Sequence, residues 1–178
     1  MSGHSKWKQI KHQKEAADQK RGLLFSKLLK AITIAAKDDS NPQFNLRLRA
    51  AIREAKEGNV PSDNIDRAVK RASERSEALE ELLLEGYGPG GIALLIVAIT
   101  DNSNRTVPEI KRIFADHGAK WAEPGSVRWA FTPPPAGGTD WQAKFPQAIG
   151  TEEREKLEEL VRDLEEHDDV QNVYHNAA

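Results

Sequence analysis

Apolar residues in the first part of the chain recur at the spacing of amphipathic helices. Between Asp18 and Lys37 they form one stripe, and the lysines of the segment lie on the opposite side. The breaker DDSNP separates this helix from a second one, which ends at Gly58 and Asn59 before Pro61 opens a third. Three short amphipathic helices in succession predict a small helical bundle.

The pattern changes to that of β-strands after Glu77. The stretch ALEELLLEGYGPGGIALLIVAIT is typical of a strand, a Gly/Pro turn and a second, fully buried strand. A capping box, TVPE at Thr106–Glu109, predicts a helix start, and SVRWAF at Ser126–Phe131 is interpreted as a third strand. A helix from Thr151 and a last strand, DVQNVYH, give the order β-β-α-β-α-β, a sheet with helices on one face.

We therefore expect an α+β fold in two domains. Residues 1–76 would form a basic arm and a three-helix domain, with the arm, residues 1–17, mobile or loosely ordered because it lacks apolar periodicity. Residues 77–178 would form the α/β domain. A Pro- and Gly-rich segment at about 132–145 is typical of a linker within it.

The amino-acid composition indicates the cellular compartment in which the protein is expected. The 178 residues include no cysteine, so neither disulfides nor thiolate chemistry is available. The longest apolar run, Ile92–Ile99, is too short to span a membrane, and the N-terminus lacks the apolar core of a secretory signal. These features favour a cytoplasmic protein with no membrane partner, and they leave the oligomeric state open.

Charge is distributed unevenly, although the net charge is only −2. Residues 1–75 carry 17 Lys and Arg against 9 Asp and Glu, a balance of +8, and the remainder carries 9 against 19, a balance of −10. Five lysines and one arginine lie between Gly3 and Gly22, around Trp7. Such asymmetry indicates contact with nucleic acid or a membrane surface, or contact between the two halves.

Signatures of catalysis are missing from the sequence. The five histidines lack metal-ligand spacing, and GYGPGG lacks the lysine of a P-loop and joins two strands. The triplet His167-Asp168-Asp169 is a conceivable acid–base group, but its position at a helix end favours a polar cap. We expect no enzyme activity, no catalytic residue, no metal and no cofactor.

The loop TDNSNRT, between the buried strand and the capped helix, is a candidate anion site. Free backbone N–H groups at such a position can bind a phosphate, assisted here by an arginine. The candidate residues are Asn102, Asn104, Arg105 and Thr106. Alternatively, the Asp and Asn side chains only form turns and cap the helix.

Each helix of the first domain carries cations opposite its apolar stripe, and these are the candidate nucleic-acid contacts. They would bind phosphates, which position a protein without specifying a sequence, while Trp7 either stacks on an unpaired base or packs on the bundle. The candidate contacts are Lys6, Trp7, Lys8, Lys11, Lys14, Lys20, Arg21, Lys27, Lys30, Arg49, Arg53, Lys56, Arg67, Lys70 and Arg71. No helix has Asn or Gln beside Arg in a row that would read base edges, so we expect shape and phosphate recognition.

Five ordered blocks of the sequence resemble the YebC/PmpR family, which includes the mitochondrial translational activator of cytochrome c oxidase subunit I. The blocks are SGHSKWKQIKHQKEAADQKRGLLFSKL, RLRAAIREAKEGNVPSDNIDRAVKRA, EGYGPGGIALLIVAITDNSNRTVPEIKRIF, GSVRWAF and DDVQNVYHN. The resemblance implies a helical domain followed by ferredoxin-like α/β structure. It also implies a role in gene expression, as a probable DNA-binding transcriptional regulator or as a translation factor acting on the ribosome.

The chain departs from the family in one large respect. Members usually carry a further α/β domain between the strand matching GSVRWAF and the last helix, where only TPPPAGGTDWQAKFPQ stands here. The leading hypothesis is a non-enzymatic nucleic-acid-binding regulator of gene expression, whose partner is duplex DNA, ribosomal RNA or the ribosome itself. The alternative is a protein-interaction module whose basic half docks on an acidic protein.

Overall fold

The computed structural model describes residues 3–74 and 78–178, with side chains from Lys14 onward. The helices are α1 (Gly3–Ala36), α2 (Leu46–Glu57), α3 (Ser62–Ser73), α4 (Ser103–Asp116) and α5 (Thr151–Glu165). The strands are β1 (Glu80–Tyr87), β2 (Ala93–Thr100), β3 (Lys120–Ala122), β4 (Phe131–Thr132), β5 (Gln142–Ala143) and β6 (Val170–His175). The α+β fold predicted from the sequence, with helices first and then a sheet with helices, is confirmed.

Helix α1 is longer than its apolar stripe. It runs without interruption from Gly3, so the backbone before Asp18 is helical, where the sequence predicted no regular element, and the mobility of this arm stays a prediction. Lys, Gln, Glu and Ala dominate this stretch, and their high intrinsic helix propensity favours a helix where no apolar stripe is present. At 1.5 Å per residue, 34 residues span roughly 50 Å. Residues 14–22 are exposed on every side of the helix.

Small and branched apolar side chains hold α1, α2 and α3 together. Ala35, Leu48, Ala55 and Ile65 are all buried between the three helices. Asn45 fixes the start of α2, since its Oδ1 accepts the N–H of Leu48 at 2.9 Å and its Nδ2 donates to the carbonyl of Ala35 at 2.7 Å. The predicted helical bundle is therefore present.

The main sheet has the strand order β3-β1-β2-β6 and is antiparallel throughout. Strand β2 lies inside the sheet and is almost wholly buried, as its continuous apolar run predicts. A short turn at Pro89–Gly91 joins it to β1, which confirms the hairpin predicted from GYGPGG. One face of the sheet packs on α4 and α5 through Ile110, Phe114 and Leu160.

The segment expected to be a linker covers the other face of the sheet. Phe131 is 1% exposed there, and Trp141 packs against the same cluster. Strand β4 pairs with β5 in a separate two-stranded sheet, which brings the two ends of the Pro/Gly stretch together. The segment is thus a packed layer rather than a free spacer.

The predicted third strand, Ser126–Phe131, is mostly a turn, and the third strand of the main sheet is β3 instead. Gly125 adopts a φ of 88°, which reverses the chain. The buried carboxylate of Glu85, on β1, accepts the N–H groups of Gly125, Val127 and Arg128 at 2.6, 2.7 and 2.8 Å. Because a side chain satisfies these donors, the segment needs no strand partner.

The start of α4 also differs from the prediction. The N–H of Thr106 already donates to the carbonyl of Asn102 at 3.1 Å in the helical pattern, so the helix begins at Ser103 and not at the capping box. Pro108 consequently lies inside the helix rather than in its first turn. Among residues 3–74 and 78–178, none of the helices combines the length and the hydropathy that a membrane span requires.

The helical part and the sheet part meet at the end of α1. Ile34 packs with Leu79 and Ile99 in a small apolar cluster, and the amino group of Lys37 donates to the carbonyl of Leu79. This junction sets α1 against the sheet part, so one side of the helix packs in the bundle and another faces the acidic half of the chain.

Candidate nucleic-acid interface

The exposed part of α1 carries the first candidate contacts. Lys14, Lys20 and Arg21 are exposed to solvent. The candidates Lys6, Trp7, Lys8 and Lys11 lie on the same helix, but outside the residues whose side chains are described. The two alternatives for Trp7, stacking on an unpaired base or packing on the bundle, therefore stay predictions from the sequence.

Helix α2 presents a row of cations. Arg49, Arg53 and Lys56 are exposed and recur at i, i+4 and i+7, which places them on one face. The guanidinium of Arg49 donates to the carbonyls of Pro42 and Gln43 at 3.1 and 2.8 Å, which orients it and leaves further N–H donors unused by these bonds.

A groove of about 680 Å³ runs between α2 and α3 beside this row. Arg49 and Lys56 line it together with the hydroxyl residues Ser40 and Ser62, and Asp66 is the one acidic residue among the described residues of its wall. A groove with two cations, two hydroxyl groups and one carboxylate has the donors that a phosphate needs.

The candidates on α3 are already engaged in local contacts. Arg67 donates to the carbonyl of Asp63 at 3.1 Å and to Asn64 at 3.0 Å, and Lys70 lies 3.7 Å from the exposed carboxylate of Glu74. Arg67 and Arg71 line the cleft between the helical and sheet parts, not the groove beside α2. The predicted cations therefore lie on more than one side of the helical part.

Two further candidates face inward. The amino group of Lys27 donates to the carbonyl of Glu165, and that of Lys30 donates to the carboxylate of Asp169 at 2.7 Å and to the carbonyl of Asp168 at 3.2 Å. Burial, partly offset by the charges of Glu165 and Asp168, lowers the pKa of Lys27. The prediction that Lys27 and Lys30 point outward is wrong, because α1 packs on the sheet half as well as on the bundle.

Asp169 is the centre of this inward network. Its side chain is 4% exposed and accepts bonds from Lys30, from Arg105 at 2.9 Å and from the hydroxyl of Thr106 at 2.6 Å. Burial opposes ionisation, yet these three donors hold the pKa of Asp169 well below its usual range. From the sequence, Asp169 was expected to belong to a polar cap at a helix end or, alternatively, to an acid–base group, whereas α5 ends before it, at Glu165.

The loop expected to bind an anion thus contacts an anion of the protein itself. Arg105 and Thr106 both bind the carboxylate of Asp169, and Arg105 also pairs with Asp101 at 2.9 Å. Asn102 is the N-terminal cap of α4 through its backbone, and Asn104 is exposed. Binding of an external phosphate at this loop stays a prediction.

The cleft between the two parts has a volume of about 1160 Å³ and mixed charge. Its cationic lining residues are Lys30, Arg67, Arg71 and Arg105, and its acidic ones are Asp101, Glu109, Glu166, Asp168 and Asp169. The imidazole of His167 contacts Glu109 at 2.8 Å. Because carboxylates oppose phosphate binding, the mixed-charge cleft is poorly suited to a polyanion, and the outer row on α2 and the exposed part of α1 stay the candidate contacts. Residues 14–74 and 78–178 contain no group of three or more His, Cys, Asp or Glu side chains able to hold a metal ion.

Comparison with known proteins adds two family models and several relatives. The model described as TACO1/YebC protein N-terminal domain matches residues 5–75, and the model described as TACO1/YebC second and third domain matches residues 79–133 and 137–177. A probable transcriptional regulatory protein of Dictyoglomus thermophilum is 54% identical over 134 residues, which are 74% of this chain and 54% of that protein. The chain thus matches about half the length of this relative.

A longer alignment and a solved structure extend the similarity. A probable transcriptional regulatory protein of Natranaerobius thermophilus is 36% identical over 239 aligned positions, covering 99% of this chain and 96% of that protein. The crystal structure of a conserved hypothetical protein from Aquifex aeolicus superposes with a TM-score of 0.80 at 30% identity, over 89% of this chain and 90% of that one.

Proposed function

The chain belongs to the TACO1/YebC family, and from that premise we propose that it is a non-enzymatic, nucleic-acid-binding regulator of gene expression. Its relatives are named probable transcriptional regulatory proteins, which supports the regulatory role. The helical part would bind phosphate groups, and the acidic sheet part would keep the outer surface of the helices turned toward the nucleic acid.

This proposal rests on a set of exposed cations. Lys27 and Lys30 are not among them, because they donate to groups of the acidic sheet part. The cations of the set share three features: they are exposed on the helical part, they do not line the mixed-charge cleft, and no contact described above pairs them with a carboxylate. The set is Lys14, Lys20 and Arg21 on α1 and Arg49, Arg53 and Lys56 on α2. If all six side chains contact phosphates, the affinity for nucleic acid should fall about a thousandfold as the salt concentration rises from 50 to 200 mM.

Duplex DNA is the first target to test, since the relatives are named for transcription. Structured RNA is the second, because a row of cations without base-reading amides recognises phosphate spacing rather than sequence. Competition between a duplex DNA and a folded RNA of equal length would rank the two targets.

The decisive variant removes the α2 row by the changes Arg49→Gln, Arg53→Gln and Lys56→Gln. If all three side chains contact phosphates, the slope of log K against log salt should fall in magnitude by about 3. Fluorescence anisotropy with a labelled duplex, repeated from 50 to 200 mM salt, measures this slope. The matched control removes three exposed cations of the sheet part by Lys111→Gln, Arg112→Gln and Lys120→Gln.

The control variant should bind as the wild type does. A wild-type protein that binds neither duplex DNA nor RNA nor ribosomes at 50 mM salt would contradict the proposal, as would equal losses in both variants.

A protein-interaction module is the second candidate function, and one observation favours it. Phe44 and Leu46, at the start of α2, are 78% and 52% exposed, so the basic row adjoins apolar surface suited to an acidic protein partner. In that case the α2 variant would lose a protein complex while its retention on nucleic acid stayed unchanged.

A further inference from the structure

Two aromatic side chains of the sheet part are exposed side by side. Trp129 is 62% and Phe145 is 56% exposed, and their ring centroids lie 5.7 Å apart at an interplanar angle of 48°. Leaving two adjacent large rings in water opposes the hydrophobic effect, and exposed apolar pairs of this kind mark binding surfaces.

The backbone that carries Trp129 is fixed by buried groups. Its indole N–H donates to the carbonyl of Ser126 at 2.8 Å, so the one polar atom of the ring is satisfied within the turn. The same turn is held by the three N–H bonds to Glu85, which is 3% exposed. What the turn presents to solvent is therefore the apolar ring surface on a constrained support.

Phe145 is supported in the same way from the other side. The buried side chain of Asn176 donates to its carbonyl at 3.0 Å. The N–H of the preceding residue, Lys144, donates to the carbonyl of Ala130 at 2.9 Å, which ties this segment to the turn of Trp129. A preorganised aromatic pair loses little conformational entropy when a ligand binds.

The charges around the pair differ from those of the rest of the sheet part. Arg128 and Lys144, the sequence neighbours of the two aromatics, are both exposed. Residues 124–150 contain a single acidic residue, Asp140, although the remainder of this half is strongly acidic. Asp140 lies 3.4 Å from the hydroxyl of Tyr174. Aromatic rings flanked by cations complement a nucleobase and its neighbouring phosphates.

We propose that Trp129 and Phe145 form a stacking site for an unpaired base of single-stranded nucleic acid, with Arg128 and Lys144 contacting the adjacent phosphates. The inference rests on the proposed function and adds a second contact on the other part of the chain. A base must leave its duplex stack to reach the rings, so the site favours single strands over duplexes.

The test uses the full chain and two probes, a twelve-nucleotide oligo(U) and a DNA duplex of the same length. Trp129→Leu keeps an apolar side chain but removes the aromatic face, and it should weaken oligo(U) binding about tenfold while duplex affinity is unchanged. Trp129→Phe restores an aromatic face and should bind within about twofold of the wild type. Phe145→Leu provides a second variant on the other ring, and circular dichroism checks the fold of each.

A matched control and three outcomes decide the matter. Leu24→Ala shortens another exposed apolar side chain, on the helical part, and should change neither affinity. Equal oligo(U) affinity of the wild type, Trp129→Leu and Phe145→Leu overturns the stacking site, while the α2 variant still tests the proposed function separately. Failure of the wild type to bind oligo(U) overturns the stacking site, and failure to bind the duplex, a folded RNA and ribosomes as well contradicts the proposed function. Loss of self-association or of a protein complex in Trp129→Leu, with oligo(U) binding intact, would make the pair a protein-docking surface and the inference wrong.

Discussion

The two stretches of α1 have similar charge and different surroundings. In residues 14–22 the cations Lys14, Lys20 and Arg21 extend into solvent. Further along the same helix, Lys27 and Lys30 donate to the end of α5 and to Asp169. The comparison teaches that the cations of one helix have two surroundings. Lys27 and Lys30 connect the two parts of the chain, whereas Lys14, Lys20 and Arg21 are exposed and are the ones proposed to meet a polyanion.

What separates the two stretches is where the acceptors lie. Carbonyls at the C-terminus of a helix carry partial negative charge, and Lys27 binds one of these at the end of α5. Asp169, just beyond α5, adds a full charge in a buried position. Residues 14–22 are exposed, and within the part of the chain that the structure describes no contact joins Lys14, Lys20 or Arg21 to an acceptor of the sheet part.

The largest expected effect comes from removing the inward charge. Asp169→Asn leaves Lys30 and Arg105 without their shared carboxylate and should lower the free energy of unfolding by about 3 kcal/mol. Urea unfolding followed by circular dichroism measures the change. Asp168→Asn is the matched control, since Asp168 is exposed and contributes only its carbonyl to Lys30, and it should cost less than about 0.5 kcal/mol.

Lowering the pH should also weaken the contacts of Asp169, because its carboxylate becomes protonated. This loss of stability should be gradual, whereas the substitution removes the charge completely. The pKa of Asp169 is lower in the folded than in the unfolded chain, so its stabilisation is present above its unfolded pKa and is lost as the pH falls toward the folded value. Glu85 acts in the same direction, because three backbone N–H bonds outweigh the effect of burial and hold its pKa below the usual value. Wild-type stability should therefore fall below about pH 4.

In this pH range the free energy of unfolding should fall less steeply in Asp169→Asn than in the wild type, because the variant lacks the carboxylate that takes up a proton. The two slopes should differ by up to about 1.4 kcal/mol per pH unit. Urea unfolding of both proteins between pH 5 and pH 2.5 measures the two slopes. Parallel slopes would show that Asp169 is not the group that makes the fold acid-sensitive.

A smaller loss of stability is expected when the two inward-facing lysines of α1, Lys27 and Lys30, are replaced. Lys27→Gln with Lys30→Gln should lower stability by about 1–2 kcal/mol, because each lysine is partly exposed and water replaces part of its contact. The comparison variant, Lys14→Gln with Lys20→Gln and Arg21→Gln, should leave the urea midpoint within experimental error, since these side chains are exposed. A larger loss in the second variant would reverse the assignment of the two stretches.

Local patterns predicted the elements whose stability is local. The stripes of α2 and α3, the buried run of β2 and the turn at Pro89–Gly91 follow from spacing and turn chemistry in a few neighbouring residues. The early start of α1 was missed because helix propensity, not apolar periodicity, favours that stretch. Ser126–Phe131 looked like a strand because nothing in it shows that Glu85, 42 residues before Val127, accepts the N–H groups of Val127 and Arg128.

The candidate site was harder to predict for the same reason. Cations opposite an apolar stripe were expected to face solvent, which assumes that a helix has only one packing face. Lys30 breaks that assumption through a carboxylate 139 residues away. Exposure of the α2 row agrees with the expectation because α2 packs on the bundle through its opposite face.

The salt dependence of nucleic-acid affinity in the two α1 variants tests the central claim most directly. With a labelled duplex between 50 and 200 mM salt, Lys14→Gln with Lys20→Gln and Arg21→Gln should reduce the slope of log K against log salt by about 3, and Lys27→Gln with Lys30→Gln should leave it unchanged. A slope that falls in the Lys27 and Lys30 variant, or that stays constant in the other, would contradict the division of α1 into an outward and an inward set of cations.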